Sequence, residues 1–167
     1  GMISASRANT PITKLILNDI GPHLDAEPLQ KILQYLSLMP TFKTRELAKN
    51  FLAQILAPFG IKKEEHLDHM TTYSFFTNDQ GEYQLAYDPK ILTLFQAEET
   101  DLSLFWDPIT CPVLVLRGQN SPVLTSQTAA KMAEKQNVDL VEFPDVAHAP
   151  ALMDEEQITT ILNWLKK

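Results

Sequence analysis

The tightest limit on the fold of this chain is a short apolar run that occurs more than once. Residues 14–18, Lys-Leu-Ile-Leu-Asn, stop at Asp19-Ile20-Gly21-Pro22, and Val113-Leu114-Val115-Leu116 lies between Cys111-Pro112 and Arg117-Gly118. Both runs are brief and end in turn formers, so both read as strands, the first of them buried. A third strand is expected over 138–143, after a helix over 125–135. A loop over 144–150 then leads to a helix capped by Asp154, with Ile158, Ile161, Leu162 and Leu165 on one face. Strands that alternate with helices imply a parallel sheet.

Between the first strand and the last two the spacing is helical. Leu29, Ile32, Leu33 and Leu36 share one face, as do Leu47, Phe51 and Ile55, and Pro40 and Pro58-Phe59-Gly60 punctuate the pattern. A third, more polar helix is expected over 62–70. Residues 71–77 and 82–87 are rich in aromatic and other β-compatible types around Asn78-Asp79-Gln80-Gly81, which suggests a hairpin. The middle of the chain is therefore a mostly helical block set into an α/β frame.

Composition narrows the function classes. The 167 residues are 44% hydrophobic and 21% charged, enough for one domain with a core. A net charge of -7 without a basic stripe argues against nucleic acid. No apolar run approaches the roughly 18 residues of a membrane span. The single cysteine, Cys111, excludes an internal disulfide and a four-thiolate zinc site, and a cytoplasmic location is expected. The N-terminus has no signal-peptide pattern, and Gly1-Met2 fits an expression scar before an initiator methionine.

Four blocks, Leu15-Ile16-Leu17-Asn18-Asp19-Ile20-Gly21-Pro22, Tyr87-Asp88-Pro89, Cys111-Pro112-Val113-Leu114-Val115-Leu116-Arg117-Gly118 and Ala147-His148-Ala149-Pro150, together resemble the C-terminal portion of α/β-hydrolase fold enzymes. The resemblance implies a truncated α/β-hydrolase fold: a short parallel sheet with helices and an inserted helical cap. Residues 1–24 and 101–167 would form the core remnant and residues 25–100 the cap. By the same resemblance residues 1–8 match the interior of the helix that starts at the nucleophile elbow, so that the N-terminal half and the serine would lie before residue 1.

The family chemistry needs a serine in Gly-x-Ser-x-Gly, where small neighbours permit a strained turn. The glycines here are Gly1, Gly21, Gly60, Gly81 and Gly118, and none frames a serine that way. His148 matches the family's general base, and an imidazole suits that role at neutral pH. Taken alone it would be a loop histidine bonded to backbone. The family's Ser-Asp pair after the strand is Ser121-Pro122 here, and proline has no carboxylate. Asp19 stands where some members carry the acid instead; the plainer reading is a turn aspartate that satisfies backbone donors.

Other residues carry less. His66 and His69, with Glu65 and Asp68, read as a solvated helix face rather than a metal site. Trp106, Phe105, Phe75 and Phe76 read as packing before pocket lining. Cys111 reads as a small buried hydrophobe, and His23 as a loop residue. The expectation is the C-terminal part of an ester, acyl or C–C bond hydrolase, inactive as this chain, without cofactor or metal and with a small-molecule substrate only in an intact form. The competing expectation is a noncatalytic binding or assembly module, a homodimer formed through an open sheet edge.

Overall fold

The computed structural model describes residues 1–94 and 99–167. Helix α1 (Met2–Ala5) precedes strand β1 (Leu15–Asn18), and the two-residue strand β2 (His23–Leu24) leads into an insert. The insert holds α2 (Ala26–Ser37), β3 (Thr41–Phe42), α3 (Arg45–Leu56), a 3-10 turn (Ala57–Phe59), α4 (Glu64–Ser74), β4 (Phe75–Thr77), β5 (Tyr83–Leu85) and α5 (Ile91–Leu94). Strand β6 (Thr100–Asp101) pairs antiparallel with β2 and brings the chain back. Then follow α6 (Ser103–Trp106), β7 (Val113–Gly118), α7 (Ser126–Ala133), β8 (Val138–Phe143) and α8 (Glu155–Leu165). The 25–100 segment contains residues 95–98, which lie outside the described residues.

The main sheet has the order β1-β7-β8 and is parallel throughout, with Leu15 opposite Val113 and Val113 opposite Val138. All six residues of β7 are buried. Its uninterrupted apolar run is explained by cover on both faces, as parallel sheets require. One face presents Leu15, Leu17, Val113 and Val115 to Met2, Ala5, Trp106, Ala129 and Met132. The other turns Leu114 and Leu116 toward Phe143, Val146 and Trp164 of α8, with Ile16 and Ile161 packed alongside. Thr125 caps α7 by accepting the Thr128 N–H at 3.1 Å.

The insert has its own core of Ala48, Leu52, Leu56 and Phe75, joined by Phe42, Phe51, Met70 and Tyr83. It is less purely helical than the sequence suggests, because β5 bridges β3 and β4 in a three-stranded antiparallel sheet. The expected hairpin is present as β4 and β5, but it begins later, since α4 runs on through Ser74. Lys49 binds Glu64 and, at 3.0 Å, Asp68, which also receives Arg45 at 3.0 Å. The hydrogen bonds from Lys49 and then Arg45 hold the Asp68 carboxyl below its ordinary range.

Three details depart from the sequence reading. Leu47 is 51% exposed, and α3 buries Ala48, Leu52 and Leu56 instead, a face turned by one residue. On α8 only Ile161 of the four apolar residues packs inward with Trp164, leaving Ile158, Leu162 and Leu165 exposed. Asp154 does stand at the N-cap of α8, but its carboxylate makes no cap hydrogen bond and faces Lys62 and His66 of the insert. No helix among the described residues is long and apolar enough to cross a membrane.

Candidate active site

All three parallel strands deliver their carboxyl ends to one place, where open α/β sheets hold their ligands. At the end of β1, Asp19 is fully buried and has φ 57, a left-handed conformation that Asp tolerates better than most residues. Its carboxylate is enclosed by donors. Oδ1 accepts the Gly118 N–H at 3.1 Å, and Oδ2 lies 2.6 Å from the Ser121 hydroxyl and 2.6 Å from His148 Nδ1. A buried carboxylate persists where it is paired and hydrogen-bonded in this way. The backbone-donor role of a turn aspartate is met by Oδ1, while Oδ2 faces the imidazole.

His148 reaches this position on the loop that follows β8. The loop is fastened to the core by Asn120 N–H to Val146 O at 2.9 Å and by the Asn18 side-chain amide to Pro150 O at 3.0 Å. It is fastened to the insert by Ala147 N–H to Pro58 O at 2.7 Å. Gly60 has φ 74 and admits Val146 so closely that a Cβ there would lie 2.7 Å from Val146 Cγ2. The Phe59 ring sits 6.2 Å from the imidazole, centre to centre, and forms a wall beside it. The His148 side chain is 27% exposed, and among the described residues its Nε2 has no hydrogen-bond partner. If Asp19 accepts at Oδ2 as a carboxylate, the imidazole proton stands on Nδ1 and Nε2 carries a free lone pair.

The other candidates fall elsewhere. His66 is not on a solvated face: its side chain is 16% exposed, its buried Nδ1 has no hydrogen-bond partner among the described residues, and Asp154 lies 3.9 Å away. His69 stacks on Tyr73 instead, and no group of three metal-ligating side chains occurs among the described residues. His23 belongs to β2 and sits 3.4 Å from Asp101 across the β2–β6 ladder. Trp106 and Phe75 are buried in the two cores, whereas Phe76 and Phe105 are exposed. Cys111 is half-buried against the sheet core. A cavity of about 320 Å³ opens in the insert between α3 and α4, lined by Leu56, Ile61, Lys63 and Leu67 among others, and neither Asp19 nor His148 lines it.

Sequence reasoning named Asp19 and His148 but missed Gly118 N–H, Phe59 and the Ser121 hydroxyl as parts of the same cluster. The signal for Gly118 was a glycine at the end of a buried strand. A Cβ there would lie 1.9 Å from the Ala147 carbonyl oxygen.

Solved structures share this fold. A Rickettsia typhi protein assigned to the hydrolases superposes with a TM-score of 0.93 at 40% identity, covering 99% of this chain and 58% of that one. An α/β hydrolase from Novosphingobium aromaticivorans superposes at 0.87 with 30% identity, covering 99% of this chain and 60% of that one. The chain has the α/β-hydrolase fold. It matches the C-terminal portion of that fold. Among curated proteins, the 3-hydroxybutyrate-oligomer hydrolase of Cupriavidus necator is 36% identical over 171 residues, 95% of this chain and 58% of that protein. The chain thus spans somewhat under two thirds of the length of these α/β-hydrolase relatives. No protein-family model matches it.

Proposed function

We propose that this chain supplies the general base, His148, and the acid, Asp19, of a serine-dependent ester hydrolase. The observation that carries the reading is the 2.6 Å contact between His148 Nδ1 and a fully buried Asp19 carboxylate. In a complete site a serine hydroxyl attacks the ester carbonyl carbon while His148 Nε2 takes its proton. Asp19 stabilises the imidazolium, which returns the proton to the departing alkoxide; a water molecule then repeats the sequence to release the acid. The Cupriavidus necator relative supports an oligoester of a short hydroxy acid as the substrate class. Cys111, the single and unpaired cysteine, supports a reducing, cytoplasmic setting.

The 167 residues contain no Gly-x-Ser-x-Gly, so this chain by itself is expected to be silent. Incubation with a fluorophosphonate should label no serine, and p-nitrophenyl butyrate should be hydrolysed no faster than in a protein-free control. Stoichiometric labelling of any serine would overturn the reading.

A second reading is a noncatalytic assembly module that pairs with its own copy. It is favoured by the open side of β1, whose only ladder partner among the described residues is β7. Ile3, Leu162 and Leu165 add exposed apolar surface, at 47%, 50% and 46%. A two-fold pairing would cover one patch with another. Sedimentation velocity at micromolar concentration should then show a concentration-dependent dimer, and an invariant 18.9 kDa monomer would exclude it.

A further inference from the structure

A serine hydroxyl has one proton and two lone pairs. In Ser121, which is 7% exposed, both lone pairs face backbone donors: the N–H of Val123 at 3.1 Å and that of Leu124 at 3.2 Å. Its one proton is therefore committed to Asp19 Oδ2 at 2.6 Å. We propose that Ser121 is a positioning residue for His148: by donating to Asp19 Oδ2 it fixes the carboxylate as a charged acceptor and so holds the imidazole with its proton on Nδ1 and its Nε2 bare.

The argument is one of counting. A neutral Asp19 would have to donate a proton of its own. Oδ1 cannot donate to the Gly118 N–H that it faces, and Oδ2 cannot donate to a Ser121 oxygen whose lone pairs are both engaged. The remaining protonated form places the proton between Oδ2 and His148 Nδ1. A second donor on Oδ2 opposes that form, because hydrogen bonds to an ionised carboxylate are stronger than those to a neutral one. The same commitment leaves Ser121 with neither a free proton nor a free lone pair, so it is no substitute for the missing nucleophile. At the family position usually held by an acid this chain has Pro122, and the preceding serine serves an acid placed on a different strand.

This inference rests on the reading of Asp19 and His148 as acid and base, and its test separates the two. The chain holds four histidines, so a sample labelled with ¹⁵N-histidine gives few imidazole signals, and His148→Ala assigns the one of interest. In the native chain the His148 proton should reside on Nδ1, far downfield and slow to exchange with water. In Ser121→Ala its exchange should rise about tenfold or disappear into line broadening, with the amide signals of the parallel sheet unchanged. Ser121→Thr, which keeps the hydroxyl, should restore slow exchange. If Ser121→Ala does not fold, Ser121→Cys, similar in shape and a poor donor, carries the same comparison. Native exchange in the Ala or Cys variant would show that Ser121 merely fills space and would overturn this inference alone. A native His148 proton on Nε2 would overturn the acid and base assignment as well.

Discussion

Asp19→Ala is expected to lose about 3–5 kcal/mol of folding stability, because each buried donor left without its acceptor costs about 1–3 kcal/mol and this carboxylate serves more than one. The variant would leave the Gly118 N–H, the Ser121 hydroxyl and the His148 Nδ1–H without their acceptor around a fully buried position. It would also place alanine at φ 57, where a side chain without a local hydrogen bond is disfavoured by roughly 1–2 kcal/mol. Asp19→Asn tolerates that backbone and keeps the shape and one acceptor oxygen, so it should lose less than Asp19→Ala. His148→Ala should cost less, under about 1.5 kcal/mol, because Asp19 retains two donors and the vacated space opens to solvent. Urea denaturation of the three variants checks the order. A loss below about 1 kcal/mol for Asp19→Ala would mean that the buried cluster is not formed.

The second large effect belongs to Gly118→Ala. The added methyl would meet the Ala147 carbonyl oxygen at 1.9 Å and the Val146 carbonyl oxygen at 2.7 Å, both backbone atoms that no rotamer change can move. Relief requires the His148 loop to lift away from β7, against its bonds to Asn120, Asn18 and Pro58. Overpacking of this kind costs about 1–3 kcal/mol where side chains can yield. Here, where only backbone can, at least about 3 kcal/mol is expected, with loss of the His148–Asp19 contact. Thermal or urea unfolding measures the first, and the His148 imidazole signal reads the second. A variant with native stability and a native imidazole signal would contradict the close approach of the two segments.

These effects also mark where the sequence was legible. Periodicity located β1, β7, β8 and the helices around them because each is coded by contiguous residues, and the apolar run of β1 foretold the burial of Leu15 and Leu17. The short strands β2, β3 and β6 have two residues each, too few to carry a period, and so the β2–β6 ladder and the β3 edge beside the expected hairpin were missed. His66 was read by its polar neighbours on α4, although its environment is set by Asp154, at the start of another helix. The cluster at Asp19 joins residues 99, 102 and 129 positions apart, so no local pattern could report that Gly118 and Ser121 serve the same carboxylate as His148. Asp19 and His148 themselves were accessible only because their blocks matched a family in order and spacing.

The most direct measurement joins the chain to the piece its chemistry lacks. Fused behind the segment of the Cupriavidus necator hydrolase that precedes the matched region, the chain should yield an enzyme that cleaves 3-hydroxybutyrate oligomers and takes one equivalent of fluorophosphonate. His148→Ala should lower its kcat by about 10⁶ and Asp19→Asn by about 10⁴, as loss of the corresponding groups does in serine proteases. A folded, fluorophosphonate-reactive fusion whose kcat is unchanged by His148→Ala would contradict the assignment of the base and acid to this chain.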